Sequence, residues 1–322
     1  MSLHSSLQVG VLLGGCSSER EISLKTGQAI AQALAETGFC VEKIDVQSEN
    51  PIHVTEQIRP YNIDVAFIDL HGAFGEDGRI QSILESLDIA YTGSGPKASE
   101  LAFNKKQTQN FLKNHGVTIP SYVIVTEQDF LRDKGLILES IKLPAVVKPT
   151  CEGSSIGVSI VRSEDKLEEA LINALQFNQE VIIEQFILGR EMTVGIIDQH
   201  ALPIVEIVPR HDFFDFEAKY QKGMTDYVVP AEVSAERTEK IQTQAKKVHD
   251  LIGCVDLSRV DFIVTDDAAY VLEINTVPGF TETSLVPKAA EHAGITFNQL
   301  CTQLVDLAYA RKEKKESTSS SH

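Results

Sequence analysis

The chain has 322 residues, which is long for a single core and suits two or three subdomains. Its residues are 43% hydrophobic and 23% charged, which is typical of a soluble globular protein. Its formal net charge of -17 argues against nucleic acid or an anionic membrane as a partner, because neither attracts a strongly acidic surface. Five scattered cysteines without a CxxC pair, no leader-like N-terminal segment and no apolar run of about 18 residues together predict a cytoplasmic protein.

Strands alternate with helices in the N-terminal part of the chain. An apolar strand is predicted at 9–13, and Ser17 and Ser18 offer an N-cap for a helix that runs to about Thr37. Such alternation implies a parallel sheet that binds ligands at the carboxyl ends of its strands. The other elements predicted here are strands at 41–46, 65–70 and 89–91 and a helix at 80–87.

The pattern changes after Ser99, where strands no longer alternate regularly with helices. Residues 210–229 crowd four aromatic side chains among charges and predict a long structured loop, a feature that is often functional in compact domains. The tail from Arg311 is predicted to be a frayed helix end and a disordered terminus. The predicted elements are strands at 122–125, 144–148, 158–161, 180–186, 191–197 and 204–208, helices at 164–175, 234–251 and 286–308, and a helix that carries Lys105 and Lys106.

A β-hairpin is predicted at 259–275, since two runs rich in Val, Ile, Phe and Tyr flank a turn-prone Asp-Asp-Ala. If the hairpin folds about that turn, Asp261 lies opposite Glu273 and Arg259 lies opposite Asn275. Two carboxylates and an amide oxygen on one face attract a cation such as Mg²⁺. A solvent-exposed polar face is the alternative interpretation. The Pro-Gly turn and the hydroxyl residues that follow the hairpin favour a ligand-binding site instead. The opposite, apolar face is predicted to carry Val260, Phe262, Val264, Tyr270, Leu272 and Ile274.

A small-residue loop at 152–157 follows the strand that ends near Lys148. It lies between two predicted strands rather than before a helix, so it does not match a Walker-type phosphate loop. Its backbone amides and hydroxyls could still bind phosphate oxygens, and Lys148 would add the positive charge that a polyphosphate requires. A plain hairpin loop and a solvated edge lysine fit the same residues, so this motif alone leaves both interpretations open.

Six motifs in unbroken order resemble the D-alanine–D-alanine ligases of the ATP-grasp superfamily. The resemblance covers about residues 9–308. It implies an α/β fold, α+β overall, with ATP-grasp architecture: an N-terminal parallel-sheet domain precedes two further α+β lobes that enclose ATP. The motifs are LLGGCSSEREISL, LHGAFGEDGRIQ, YTGSG, VVKPTCEGSSIGVS, FEAKY and LEINTVPGFTETSLVP.

The resemblance also implies a division of the chain into domains. We expect an N-terminal α/β substrate domain at 1–100 and a central ATP-grasp lobe at 101–188. A C-terminal lobe at 189–312 would contain the metal site and the 210–229 loop, and a disordered tail would follow at 313–322.

In this family, the γ-phosphoryl group of ATP passes to the carboxylate of a first D-alanine, and the amine of a second D-alanine then attacks the acyl phosphate. The dipeptide serves peptidoglycan precursor synthesis. The resemblance therefore implies ATP, two Mg²⁺ (or Mn²⁺) ions, two molecules of D-alanine and a homodimer. A ligase for other small D-amino or D-hydroxy acids stays open as an alternative. A second alternative is a non-catalytic nucleotide-binding protein. It is disfavoured because all four polar residues of the hairpin are present.

The same resemblance assigns the nucleotide and metal sites. Asp261, Glu273 and Asn275 would hold the metal ions, in agreement with the hairpin face. The chain departs from the family pattern at Gln185 and Phe186, where Lys and Trp are often found, so altered nucleotide affinity is expected. The nucleotide-binding residues implied are Lys105, Lys148, Glu184, Gln185, Phe186, Ile187, Glu191 and Lys219.

The catalytic and substrate-binding residues are also implied by the resemblance. Arg259 would stabilise negative charge together with the Gly279 amide, and a structural ion pair is the alternative. Glu19 would bind the ammonium group of the first D-alanine, although a favourable interaction with the helix dipole also explains it. Tyr220 would help to close the long loop over the site and favours D-alanine over D-lactate as second substrate. The catalytic residues implied are Glu19, Ser154, Tyr220, Arg259, Gly279 and Ser284, with His71 and Leu285 as substrate-binding residues.

Overall fold

The structure is a computed structural model that describes residues 6–209 and 225–319. The strands of these described residues form three sheets, each in its own stretch of the chain. The first sheet spans 8–91, the second 122–185 and the third 190–275. This succession fits the predicted order of an N-terminal domain followed by two lobes, whose boundaries stay a prediction.

The first sheet is built from strands that alternate with helices. Its elements are β1 (Gln8–Gly14), α1 (Arg20–Glu36), β2 (Cys40–Val46), α2 (Pro51–Ile58), β3 (Val65–Ile68), α3 (Ala73–Glu76), α4 (Arg79–Ser86) and β4 (Ala90–Tyr91). The strand order is β2-β1-β3-β4 and all pairs are parallel, as predicted. Val9, Val11 and Leu13 of β1 enter one core, and Leu12 enters another on the opposite face. Both faces are therefore buried, as a parallel sheet requires.

The second sheet is antiparallel and follows two helices. The elements are α5 (Pro96–Phe103), α6 (Lys105–Asn114), β5 (Tyr122–Thr126), α7 (Glu127–Arg132), α8 (Lys134–Ser140), β6 (Ala145–Pro149), β7 (Ser159–Val161), α9 (Glu164–Leu175) and β8 (Glu180–Gln185). The strand order is β5-β8-β6-β7. Leu167, Leu171 and Ala174 of α9 pack on Val147 and Val181 of the sheet, so one face is covered by this helix.

The third sheet is also antiparallel and carries the hairpin. Its elements are β9 (Arg190–Ile197), β10 (His200–Ala201), β11 (Val205–Pro209), β12 (Thr225–Val228), α10 (Ala235–Ile252), β13 (Leu257–Val264) and β14 (Ala269–Asn275). The strand order is β12-β11-β9-β13-β14, and β10 pairs with β9. Phe262 lies in a core with Ile241 and Val248 of α10 and with Ala102 and Leu112 of α5 and α6. These helices therefore cover the apolar face of the hairpin.

A β-bulge interrupts the hairpin, and sequence analysis did not anticipate it. Phe262 lies opposite Val271, so Leu272 is an extra residue between the two ladders. The bulge reverses the alternation of side chains beyond it, and Val271 is fully buried while Tyr270 and Leu272 are only partly buried. The prediction that Tyr270 and Leu272 share the apolar face was therefore wrong.

Two helices follow the third sheet and return to the first. They are α11 (Leu285–His292) and α12 (Phe297–Ser319), so the single helix predicted at 286–308 was wrong; the chain turns at Gly294, whose φ is +83°. Leu300, Leu304 and Ala308 of α12 are buried in the core that also contains β1 and β3. The helix continues to Ser319, so 313–319 are helical rather than the disordered tail predicted. No helix in the described part of the chain is long and apolar enough to span a membrane.

Candidate active site

Four polar side chains meet on the hairpin as the sequence predicted. Asp261 lies opposite Glu273 and Arg259 opposite Asn275 in the strand register. Arg259 Nε and Nη2 donate to Asp261 Oδ1 and Oδ2 at 2.9 and 2.7 Å, and Asn275 Nδ2 donates to Asp261 Oδ2 at 3.0 Å. The bidentate guanidinium–carboxylate geometry balances the charge of Asp261 and holds it in one orientation.

Thr193 is a further member of this face that sequence reasoning missed. The pairing of β9 with β13 places Thr193 opposite Asp261, and its Oγ1 donates to Asp261 Oδ1 at 2.5 Å. Both side chains are buried. The signal was absent because nothing in the sequence gives the register of two strands that are more than sixty residues apart.

Lys105 connects the hairpin to the small-residue loop. Its Nζ donates to the backbone oxygen of Glu152 at 2.6 Å and lies 3.4 Å from Glu273 Oε2. Its backbone N–H also donates to the oxygen of Thr150 at 2.8 Å. The start of α6, the loop after β6 and the end of the hairpin therefore converge on this ammonium group.

The loop after β6 has an unusual backbone. Ser154 and Ser155 have φ values of +49° and +60°, in the left-handed region that few non-glycine residues adopt. Gly157 follows with φ +70°, and a Cβ at this position would lie 2.8 Å from side-chain atoms of Phe177 and Pro149. Glycine is therefore required there by both conformation and space. This left-handed run bends the loop back from its strand and brings Ser154 toward the first sheet.

Glu19 contacts this loop from the segment between β1 and α1. Ser154 Oγ donates to Glu19 Oε1 at 2.5 Å, and Glu19 is only 7% exposed. Glu19 itself is the N-cap residue of α1, so the predicted N-cap role of Ser17 and Ser18 was wrong. Ser17 Oγ instead accepts from the Glu19 N–H at 3.2 Å, which fixes the turn before the helix. The predicted link between Glu19 and Ser154 is present.

Lys148 of β6 and Glu184 of β8 form a buried ion pair in the second sheet. Lys148 Nζ lies 2.8 Å from Glu184 Oε2, and their side chains are 8% and 3% exposed. Gln109 Nε2 lies 3.4 Å from the other carboxylate oxygen of Glu184. The two predicted nucleotide-binding residues are thus adjacent, and the burial of Lys148 excludes the alternative of a solvated edge lysine.

His71 is buried beside the carboxyl groups of Asp69 and Glu76. Its Nε2 has no hydrogen-bond partner among the described residues, and Asp69 and Glu76 carboxylate oxygens lie 3.8 and 3.9 Å from its two ring nitrogens. Burial lowers the pKa of His71, Glu19 opposes this effect and Arg259 adds to it. Burial therefore favours the neutral imidazole, and its Nε2 is available to a ligand.

Glu76 is a second residue that sequence reasoning missed, and it is the last residue of α3. Its Oε1 accepts from the Gly72 N–H at 3.1 Å. Burial raises the pKa of Glu76 to about 8, with further contributions from Glu19 and Glu273 against an opposing effect of Lys105. Burial therefore favours the neutral form of this carboxyl group.

The C-terminal side of the site is a hydroxyl cluster at the start of α11. Ser284 Oγ accepts from the Thr281 N–H at 3.1 Å and lies 2.8 Å from Thr281 Oγ1. A Cβ on Gly279 would lie 3.4 Å from Ser284 Oγ, an ordinary contact distance, so the two residues are neighbours. Leu285 begins the helix, and its N–H belongs to the first turn, where backbone donors attract carboxylates.

The predicted adenine segment lies at the end of the second sheet. The N–H groups of Gln185 and Phe186 donate to the oxygens of Ser121 and Pro144 at 2.8 and 3.2 Å, so these two donors are committed to the sheet. Gln185 is exposed and accepts from Ser121 Oγ at 3.0 Å. Ile187 is partly buried in the connection to the third sheet.

Three further predicted site residues are Glu191, Lys219 and Tyr220. Glu191 lies on β9 opposite Ile207 and Ile263, in the third sheet. Lys219 and Tyr220 belong to 210–224 and lie outside the described residues.

The side chains that could bind a metal ion at this site are few. Within 6–209 and 225–319, no group of three or more His, Cys, Asp and Glu side chains could hold a metal ion. The hairpin instead provides the carboxylates of Asp261 and Glu273 and the amide of Asn275. Arg259 forms an ion pair with Asp261, and Lys105 forms one with Glu273. This donor set fits Mg²⁺, which keeps waters and takes one or two carboxylates together with substrate phosphates.

Comparison with known proteins settles the family. Residues 111–306 match the family model for the D-ala D-ala ligase C-terminus, and residues 45–94 match that for the D-ala D-ala ligase N-terminus. The chain belongs to the D-alanine–D-alanine ligase family. The D-alanine–D-alanine ligase of Syntrophotalea carbinolica is 43% identical over 305 residues, which cover 95% of this chain and 97% of the relative. That of Aquifex aeolicus is 42% identical over 301 residues, which cover 93% of this chain and all of the relative.

Solved structures agree with this family assignment. The D-alanine–D-alanine ligase of Bacillus anthracis superposes with a TM-score of 0.86 at 33% identity, over 96% of this chain and all of that one. The complex of the Bacillus anthracis enzyme with ATP gives a TM-score of 0.84 at 31% identity, with the same coverage. The predicted ATP-grasp fold is confirmed, and the protein is a ligase of this family.

Proposed function

We propose that this protein uses ATP to join two molecules of D-alanine into D-alanyl-D-alanine. The family assignment supports the reaction, and the meeting of Glu19, Ser154, Lys105 and the hairpin at one place supports it independently. The observation that carries the proposal is the 2.5 Å bond between Ser154 and Glu19, because it joins the loop after β6 to the start of α1.

The reaction proceeds in two displacements. A carboxylate oxygen of the first D-alanine attacks the γ-phosphorus of ATP, and the bond from that phosphorus to the β–γ bridging oxygen breaks to release ADP. The deprotonated amine of the second D-alanine then attacks the acyl carbon, and the carbon–oxygen bond to phosphate breaks. Most of the work is positioning and neutralisation of charge.

The first D-alanine would lie between Glu19 and His71. The Glu19 carboxylate would accept the ammonium group, since it is held at the start of α1 by Ser154 and by the turn at Ser17. His71, with burial favouring the neutral ring, would contact the substrate carboxylate through its ring N–H. Glu76 would contribute a neutral carboxyl group beside it.

The phosphates of ATP would lie over the loop at 151–157. Lys105 donates to this loop and Lys148 lies near the end of the strand that leads into it, so both ammonium groups would lie near the phosphates. The purine and ribose would occupy the edge formed by Glu184, Gln185, Phe186, Ile187 and Glu191, and Lys219 would reach the phosphates from the 210–229 loop.

Asp261, Glu273 and Asn275 would hold two Mg²⁺ (or Mn²⁺) ions. Bound there, the ions would neutralise negative charge on the β- and γ-phosphate oxygens. In the structure Arg259 and Lys105 balance the same two carboxylates. Arg259 would therefore exchange part of its contact with Asp261 for the transferred phosphoryl group.

The second half of the reaction would use the C-terminal side of the site. Arg259 and the Gly279 amide would stabilise the oxyanion of the tetrahedral intermediate, and each such donor contributes roughly 3–4 kcal/mol. Ser284 and the Leu285 amide would bind the carboxylate of the second D-alanine at the start of α11. Tyr220 would help to exclude water from the acyl phosphate.

A substrate panel tests the proposal. ADP release is measured with D-alanine, L-alanine, or D-alanine supplemented with D-lactate, in the presence of ATP and Mg²⁺. We expect release with D-alanine and none above background with L-alanine. Turnover with another small D-amino or D-hydroxy acid but not with D-alanine would favour the alternative ligase.

The setting of this activity is part of the same proposal. A ligase that consumes ATP to supply peptidoglycan precursors would act in the cytoplasm, and a homodimer is expected from the family resemblance. Light scattering of the purified protein measures the assembly directly.

A further inference from the structure

The proposed D-alanine site is divided between two parts of the molecule. Glu19 and His71 come from loops of the first sheet, whereas Arg259 lies on β13 of the third. The distance between these groups therefore depends on how the first and third sheets are held together. The strand that carries Arg259 begins at Leu257, so the residues just before it lie at this junction.

Asp256 is fixed at the junction by contacts on both sides. Its Oδ2 accepts from the N–H of Gly93, in the loop that follows β4, at 3.1 Å. Its backbone oxygen accepts from the N–H of Asp198, just after β9, at 2.7 Å. Asp256 is 7% exposed and has φ +57°, so a buried residue in a left-handed conformation joins the two sheets.

Arg311 completes this arrangement from α12. Its Nη1 donates to Asp256 Oδ2, and its Nη2 donates to the backbone oxygen of Tyr91 at 2.6 Å. The guanidinium carbon lies 5.5 Å from the centre of the Tyr91 ring. One guanidinium therefore contacts β4 of the first sheet and the residue that precedes β13 of the third.

We propose that Arg311 is a positioning residue of the ligase, which holds the first sheet against the start of β13 and thereby sets the spacing between Glu19 and Arg259. Asp256 is three residues before Arg259 on a continuous, hydrogen-bonded chain. The loop at Gly93 also faces the strand end that leads to Gly279, since a Cβ there would lie 3.5 Å from the oxygen of Thr276. This inference rests on the proposed ligase activity.

The geometry predicts a selective kinetic effect. D-alanine would contact groups from both sheets across the junction, whereas ATP would lie between the second and third sheets, away from Arg311. Loss of Arg311 should therefore raise KM for D-alanine or lower kcat and leave KM for ATP within about twofold. A misplacement of about 1 Å can reduce turnover by roughly a hundredfold, so we expect a tenfold to hundredfold loss of kcat/KM for D-alanine.

The test compares Arg311→Ala, Arg311→Lys and the neighbouring Lys312→Ala. Lysine keeps the charge beside Asp256 but cannot donate in two fixed directions, so it should restore part of the lost kcat/KM. Lys312 pairs with Asp88 on the surface of the first sheet, and its removal should leave both KM values unchanged. Thermal unfolding of each variant is measured beside the kinetics.

Two results would overturn the inference. In one, Arg311→Ala lowers the unfolding temperature while both KM values and kcat stay at the wild-type level. In the other, KM for ATP rises by the same factor as KM for D-alanine. If Arg311→Ala does not fold, the same comparison is made with Arg311→Lys, whose unchanged kinetics would equally refute the role. Absence of ADP release by the wild type with D-alanine would refute the proposed function itself, which separates the two failures.

Discussion

Replacing Glu273 by alanine separates a metal ligand from a structural ion pair. Lys105 Nζ and Glu273 Oε2 are 3.4 Å apart, and their side chains are 13% and 29% exposed. Lys105 still donates to the Glu152 oxygen when this carboxylate is removed, so loss of the longer contact should cost about 1 kcal/mol. The substitution also removes the carboxylate opposite Asp261, and loss of this like-charge repulsion offsets part of the cost. The free energy of unfolding should therefore fall by less than ~1 kcal/mol.

The expected effect of Glu273→Ala on turnover is much larger. If Glu273 holds a metal ion beside the phosphates, its loss should lower kcat by about a thousandfold, which equals about 4 kcal/mol at 1.36 kcal/mol per factor of ten. Both quantities are measured on the same preparation, by urea denaturation and by ADP release at saturating D-alanine. The ratio of the two effects identifies the role.

A neighbouring ion pair provides the control. Lys106 Nζ lies 2.6 Å from Glu180 Oε1, with side chains 41% and 33% exposed, so Glu180→Ala removes a similar carboxylate from the adjacent lysine. This variant should lose little stability and keep near wild-type turnover. The reasoning fails if Glu180→Ala loses as much activity as Glu273→Ala, or if Glu273→Ala loses stability and activity in the same proportion.

Three further substitutions test other parts of the site. Ser154→Ala removes a donor to a carboxylate, worth about 1.5–3 kcal/mol, so KM for D-alanine should rise roughly tenfold to a hundredfold while KM for ATP is unchanged; an equal rise in both would contradict the assigned contact. Thr193→Val removes the donor to Asp261 Oδ1 and should raise the Mg²⁺ concentration for half-maximal activity by about tenfold or more, and an unchanged Mg²⁺ titration would show that this contact is only structural. Because burial raises the pKa of Glu76 from its ordinary 4.5 to about 8, the native state binds its proton more tightly than the unfolded state and loses stability as pH rises between these values. Glu76→Gln should remove this slope of up to about 1.36 kcal/mol per pH unit in urea denaturation from pH 5 to pH 8, and an unaltered slope would place the titration elsewhere.

Local patterns predicted the strands and the polar face of the hairpin well. The alternation of apolar and polar residues is visible in the sequence, so the position of the turn was enough to predict that Asp261 pairs with Glu273. The bulge at Leu272 was not predictable in the same way. It depends on tertiary contacts, since the Val271 N–H donates to the oxygen of Thr118 at 2.9 Å and the Leu272 oxygen accepts from Gln109 Nε2 at 2.8 Å.

Contacts between distant parts of the chain account for the remaining differences. Thr193 and Glu76 enter the site through strand register and burial, and neither quantity is visible in a single sequence. Arg311 was predicted to begin a frayed helix end and a disordered terminus because the residues that follow are charged and small. Its contacts with Asp256 and Tyr91, together with the buried face of α12, instead support a helix.

The family resemblance supplied what residue patterns alone could not. A polar hairpin face, a small-residue loop and a lysine are compatible with many ATP-dependent ligases of this fold. The roles of Glu19 and Ser284 in substrate recognition were inferred from aligned motifs, and the contact of Glu19 with Ser154 now gives that inference a geometric basis.

The stoichiometry of the products tests the central claim most directly. The purified protein is incubated with ATP, Mg²⁺ and D-alanine, and phosphate release and D-alanyl-D-alanine formation are measured in the same reaction. The account predicts one phosphate for each dipeptide, with no dipeptide when ATP is omitted. Phosphate release without dipeptide, or dipeptide formation independent of ATP, would contradict it.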